Sequence, residues 1–284
     1  MNKRVFINKI SHGGFRLLTI ISVLLSVFIF IGLFLQAIPL LKEFSMWSLL
    51  SSNVWKPMQG KFGFFPFITG TLWVTSIAIF IAVPLCIMAT IYLSIYTNWR
   101  IKNFIIPIVD LLSGIPPIIF GVWGTLTIVP IFGYSVLSGG IVLAVMIFPL
   151  MISILMDVFA AVPRGLSDAS LALGATPWET IKYVVFRKAL PGIIAAIVLS
   201  ISRAFGETIA VLMVCGNMVQ VPHSIKDRGY PLTALIANNY GEMLSIPMYG
   251  SALLFAAGIL FVIIFVFNAI SRLVLSRIEK SLHL

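Results

Sequence analysis

Charged residues are scarce in this sequence: they make up 10% of 284 residues, and only nine of them are acidic. Soluble domains carry roughly 25% charged residues. A chain this poor in charge cannot cover a water-facing surface, which excludes the soluble-domain classes. Cysteine is nearly absent. Cys86 and Cys215 stand far apart in apolar surroundings, which excludes a disulfide framework and a CxxC redox pair. The three histidines, His12, His223 and His283, are scattered and give no metal-ligand spacing. No GxxxxGK-Ser/Thr loop occurs either; the one Gly-Lys pair, Gly60-Lys61, is followed by Phe62. Without such a loop, whose backbone N–H groups cradle phosphates, the chain is not expected to hydrolyse ATP or to hold a cofactor of its own.

What the sequence has in abundance is apolar residues, 60% of the total. Crossing ~30 Å of hydrocarbon takes ~20 mainly apolar residues in a helix. Residues 17–41 carry no charge and supply a first span. Its basic flank (Lys3, Arg4, Lys9, Arg16) is like that of a secretory signal, but the apolar run is too long and no cleavage site follows, so it reads as a retained anchor. Residues 62–99 are charge-free and give a second span over 66–92. Residues 111–156 are also charge-free, and too long for one crossing. Gly133-Tyr134-Ser135 and Gly139-Gly140 are turn chemistry, which divides this stretch into a third span near 105–129 and a fourth near 139–157. A fifth is expected near 189–214 and a sixth near 246–271. The expected fold is an all-α membrane protein with six transmembrane helices.

The net charge of +10 would suggest nucleic acid in a soluble protein. Here the basic residues follow topology instead. With the amino terminus inside, Lys3, Arg4, Lys9, Arg16, Arg100 and Lys102 face the cytoplasm. So do Arg164, Lys182, Arg187, Lys188, Arg272, Arg277 and Lys280. The outside segments hold Lys42, Lys56, Lys61, Lys226 and Arg228. That asymmetry puts both termini in the cytoplasm and leaves no basic cluster for nucleic acid. Arg203 alone belongs to neither set, because it lies within the fifth span.

Three stretches are not generic membrane sequence. The first is the 158–188 loop, too polar to span and too patterned for a linker. Pro163 precedes a short helical stretch that ends at Leu173-Gly174, where Gly terminates helices. Thr176-Pro177-Trp178-Glu179 then offers an N-cap, a first-turn proline and a capping-box glutamate. Two short helices meeting at an angle on the membrane surface are expected, either as an interfacial re-entry or as a docking element for a cytoplasmic partner.

The second stretch is Ser202-Arg203-Ala204-Phe205-Gly206-Glu207-Thr208. A charge in the bilayer costs a few kcal/mol. Arg203 and Glu207, four apart, would share a helix face and can pair. Alternatively they line a water-accessible pathway. A guanidinium fork engages two oxygens of a tetrahedral oxyanion at once. A carboxylate beside it accepts a hydrogen bond from an oxyanion that still carries a proton, as phosphate does at neutral pH and sulfate does not. Gly206 permits close backbone approach, and Ser202 and Thr208 add neutral polar groups.

The third stretch is Asp110-Leu111-Leu112-Ser113-Gly114-Ile115-Pro116-Pro117, at the start of the third span. Its paired prolines remove two backbone donors and should bend or loosen the helix. In this reading Asp110 pairs or caps rather than lining a pathway.

Asp168-Ala169-Ser170-x3-Gly174 resembles the "EAA…G" loop of ABC-importer permeases, with Asp168 in place of the usual Glu and Ser170 in place of the second Ala. Phe186-Arg187 falls where that family often has Leu-Pro. Further stretches resemble the permeases of phosphate importers, of the PstC rather than the PstA type. They are Trp55-x-Pro57, Pro66-Phe67-Ile68-x-Gly70-Thr71-Leu72, Phe120-Gly121-Val122-Trp123-Gly124, 172–180 and Arg203-Ala204-x-Gly206-Glu207-Thr208.

The resemblance implies a five-helix type I permease core over 63–275, preceded by a first span and outside segment over 1–62 and followed by a tail over 276–284. It implies that the 158–188 loop forms a coupling helix, with Asp168, Ala169, Gly174, Thr176 and Glu179 in contact with an ATPase. It implies a second permease of the PstA type, two ATP-binding subunits carrying ATP-Mg, and an extracytoplasmic phosphate-binding protein. The cargo would be inorganic phosphate and the location a bacterial inner membrane. The outside loop 217–242 would help form the platform for the binding protein. A permease for another oxyanion, a proton-coupled secondary transporter using Arg203–Glu207 as a relay, and an assembly protein using that pair as a strut are the alternatives.

Overall fold

Lipid offers no hydrogen-bond partners, so apolar runs of this length satisfy their backbone groups internally, as helices. The computed structural model describes residues 3–241, 246 and 248–282, and among them every long element is helical. The long α1 (Lys3–Glu43) leads to a short α2 (Met46–Ser51) and then to α3 (Phe65–Ile91), which continues through a π-helical turn, Tyr92–Tyr96. Next come α4 (Trp99–Ser113), α5 (Pro117–Thr127), the one-turn α6 (Val129–Phe132) and α7 (Val136–Ala160). Beyond these lie α8 (Arg164–Ala172) and α9 (Pro177–Thr180), the latter running through a second π turn, Ile181–Val185, into α10 (Phe186–Gly206). The chain ends with α11 (Ile209–Val214), α12 (Leu232–Asn239) and α13 (Tyr249–Leu282).

Among the described residues, five helices are long and apolar enough to cross a membrane; a sixth crossing is reached by counting α4 and α5 as one bent span. The third span, expected near 105–129 with a bend at its paired prolines, is thus made of two helices, Trp99–Ser113 and Pro117–Thr127. α4 and α5 meet at 96°. The cause is local: Pro116 takes an extended conformation, Pro117 is the first residue of α5, and neither has an N–H to continue the ladder of α4.

The fourth span begins at Val136 rather than near 139. Gly133, with φ +75°, makes the turn, and the Ser135 hydroxyl caps the helix by accepting from Ser138 N–H at 3.1 Å. Gly139 and Gly140 are inside α7 and serve packing instead. A Cβ on Gly139 would run into the Cys215 thiol, and one on Gly140 into Ile77. Small residues let helices approach in lipid, where contact rather than water exclusion drives association. This contact seats α7 on α3 in the main core, around Val74, Ala78, Ala82, Val142 and Ile147.

A second core lies toward the α2 end of the bundle. Trp55 sits edge-on to Phe62, Phe64, Phe67 and Tyr249, with centroids 5.0–5.9 Å apart. Such pairs contribute about 0.5–1.5 kcal/mol each beyond area burial. They tie the segment after α2 to α3 and α13. α12 folds back into this cluster: Leu232 and Leu235 are fully buried, and Leu232 N–H donates to Thr71 Oγ1 at 2.9 Å. The expected outside loop is thus a built structure. Its last residue, Glu242, lies outside the described residues. Within it Asp227 accepts from the backbone N–H groups of His223 and Ser224, both at 2.9 Å, which hold its carboxyl below the usual range.

Candidate substrate pathway and docking loop

The fifth span runs from Pro177 to Gly206 and stops there. Glu207 is already extended, with ψ 130°, and a separate helix, α11, starts at Ile209. Arg203 and Glu207 therefore do not share a continuous helix face, which removes the spacing argument for pairing them. Among the described residues they form no ion pair. The Glu207 carboxylate instead accepts from Ala210 N–H at 3.4 Å, while its backbone carbonyl accepts from Thr233 Oγ1 at 3.0 Å. The break is thus held from two sides, by α11 and by α12. Thr208 stands at the N-cap position of α11 without capping it; its hydroxyl donates back to the Gly206 carbonyl at 3.3 Å.

Ser202 is turned toward α13. Its hydroxyl donates to Val198 O at 2.9 Å and to Asn268 Oδ1 at 3.0 Å. Asn268 is a lone amide in the apolar run of the last span, a signal visible in the sequence but not read there. Arg203, one residue further on, lies on a different face. Ala195, Leu199, Arg203 and Gly206 are all exposed, forming a stripe along α10 that none of the described residues covers. Space is open at Gly206, where a Cβ would meet nothing within 4 Å. The opposite face of α10, at Ile193, Ala196, Ser200 and Ala204, is buried.

The 158–188 loop has one of its two expected short helices, α8. The second is the first turn of the long fifth-span helix. The capping box is formed: Thr176 Oγ1 accepts from Glu179 N–H at 3.3 Å, and Glu179 Oε2 accepts from Thr176 N–H at 2.8 Å. Gly174 terminates α8 with φ +87°, a conformation that L side chains rarely adopt. Ser170 bonds Thr180 across the corner at 3.0 Å, pinning α8 to the long helix. Asp168, Ala169, Thr176 and Glu179 are exposed on this corner. So is Leu173, a large apolar side chain 90% exposed at the tip of the corner.

A family model for the binding-protein-dependent transport system inner membrane component matches residues 82–280, from within α3 to near the end of α13. The chain belongs to that family. Among its relatives is a probable ABC transporter permease protein, YqgH, of Bacillus subtilis. It is 39% identical over 80% of this chain and 77% of its own length. The phosphate transport system permease protein PstC of Mesorhizobium japonicum is 34% identical over 95% of this chain and 90% of its own. A probable PstC of Methanocaldococcus jannaschii is 33% identical over 86% of each. Among solved structures, the inward-facing MetNI methionine ABC transporter aligns with a TM-score of 0.63 at 19% identity. That alignment covers 79% of this chain and 99% of the other; the likeness is one of fold. In this transport component, Arg203 and the α8–Gly174–α9 corner thus lie toward opposite ends of the single helix Pro177–Gly206.

Proposed function

We propose that this chain is the PstC-type permease subunit of an ATP-driven importer of inorganic phosphate. The observation that carries the reading is the likeness to PstC relatives over 86–95% of the chain. The permease sits in the cell membrane with both termini in the cytoplasm, as its basic residues favour. Its partners are a PstA-type permease, two ATP-binding subunits that hold ATP-Mg, and an extracytoplasmic phosphate-binding protein.

In this reading the uncovered α10 stripe faces the second permease, and the translocation pathway lies between the two. Arg203 engages two phosphate oxygens through its guanidinium fork. One Glu207 oxygen caps α11, and the other accepts the proton that phosphate carries and sulfate lacks. Ser202 steadies Arg203 by holding α10 to α13, and Thr208 supplies a hydroxyl at the break. The α8–Gly174–α9 corner is the coupling element: Leu173 enters an apolar pocket of the ATPase, and Asp168, Ala169, Thr176 and Glu179 flank it. Movement of the ATPase pair is delivered to the Arg203 region along the helix that begins at Pro177. The proton-relay alternative needs Arg203 and Glu207 in contact, and the helix break between them disfavours it.

Deleting this chain from its host tests the proposal. Uptake of labelled phosphate at micromolar concentration should fall to background and return when the chain is restored. Unchanged uptake in the deletion strain contradicts it.

A further inference from the structure

At the docking-loop end of the bundle, a cavity of about 280 Å³ lies beneath α8. Its walls come from separate elements. Ser94 belongs to the first π turn, Lys102 to α4, Arg164 and Ser167 to α8, and Thr180 to α9, where it leads into the second π turn. The two π turns found among the described residues therefore border one cavity, and π turns are rare and recur at functional sites. Two cations line it, and no carboxylate does among the described residues. The Ser94 hydroxyl is buried and has no hydrogen-bond partner among the described residues. An unpaired buried hydroxyl costs free energy that a bound polar group would recover. A neighbouring cavity of about 230 Å³, which Lys102 also lines, holds Asp110 and Asp157, so the carboxylates lie beyond the lysine.

We infer that this cavity binds a phosphate-bearing oxyanion, distinct from any cargo at Arg203. Lys102 and Arg164 supply opposing positive charge from two helices, and Ser94 and Ser167 supply hydroxyl donors. The anion has two possible sources, an anionic lipid headgroup and free inorganic phosphate. The surroundings suit both. Tyr92, Tyr96 and Trp99 are exposed beside the cavity, as aromatic residues are at membrane interfaces, and basic pockets at that level hold anionic headgroups. An occupant would also brace α8 against α3 and α4, and so set the seat of the docking corner. The inference does not depend on the role proposed for Arg203.

The test uses the full chain in an Arg203→Gln background, so that anion binding at Arg203 cannot contribute. In one arm the protein sits in nanodiscs of neutral phosphatidylcholine, and labelled inorganic phosphate is titrated in. In the other the nanodiscs contain graded phosphatidylglycerol of matched acyl chains, and the glycerolipid retained on transfer to detergent is counted. In at least one arm, saturable binding should weaken about fivefold with Lys102→Gln or Arg164→Gln and about thirtyfold with both. The arm that responds identifies the source. The swap Lys102→Arg with Arg164→Lys keeps both charges, one guanidinium and one ammonium, and should bind within about threefold of the parent, which separates charge from folding. Absent binding in both arms overturns the inference. So does binding that survives the neutral double variant, or that falls as far in the charge-conserving one.

Discussion

Replacing Arg203 by lysine keeps the charge and removes the fork. Within this chain Arg203 is exposed on the α10 stripe and forms no ion pair among the described residues, so few internal contacts are lost with it. Its loss should cost the fold little, within about 0.5 kcal/mol, as for other surface changes. The cost falls on the cargo. A hydrogen bond to a charged group contributes about 1.5–3 kcal/mol. Lysine forfeits one of two such bonds, which corresponds to an uptake rate about 10- to 150-fold lower at subsaturating phosphate. Glutamine, which forfeits the charge as well, should do worse. The assay is the initial rate of labelled phosphate uptake at matched membrane abundance, with thermal stability of the purified chain measured in parallel. Normal uptake by Arg203→Lys would refute the ligand role. A fall in uptake that merely tracks loss of protein from the membrane would make Arg203 a structural strut instead.

Other substitutions probe other parts of the reasoning. Glu207→Gln keeps an acceptor oxygen for Ala210 N–H, so the break should persist. Phosphate-over-sulfate discrimination should fall in competition uptake, and unchanged selectivity would count against the acceptor role. Gly174→Pro replaces φ +87° by a ring fixed near −65° and removes the N–H that bonds Leu171 O at 3.0 Å. ATP hydrolysis by the assembled transporter should continue while transport stops; tight coupling in this variant would remove the docking role from the corner. Gly139→Ala drives a methyl into the Cys215 thiol where α7 meets its neighbours, at a cost of about 1–3 kcal/mol. Its melting temperature should drop, and an unchanged value would show that this contact is not tight.

The sequence made the spans legible wherever apolar length alone decides, because hydrocarbon leaves the backbone no other option. Breaks were harder to place. Pro116-Pro117 announced a bend but not its 96° angle, which depends on where α5 finds packing against α11 and α7. The end of α10 at Gly206 is not legible in the sequence, because Glu207 and Thr208 suit a helix as well as a break. What stops the helix is tertiary: Thr233 holds the Glu207 carbonyl from α12, 26 residues further on. Gly139-Gly140 read as a turn because glycine's two uses, turning and close packing, look identical without the neighbouring helix. The capping box at Thr176–Glu179 and the glycine stop at Gly174 are legible in the sequence, since both are local chemistry. Asn268 carries a sequence signal of its own, since a single amide amid apolar residues asks for a partner, which Ser202 supplies.

The central claim is that this chain moves phosphate only as part of an ATP-driven assembly. Proteoliposomes holding the chain with its second permease and ATPase, supplied with the phosphate-binding protein, should accumulate labelled phosphate when given ATP. They should accumulate none with a proton gradient alone. Uptake by the chain on its own, driven by that gradient without ATP, would contradict the account.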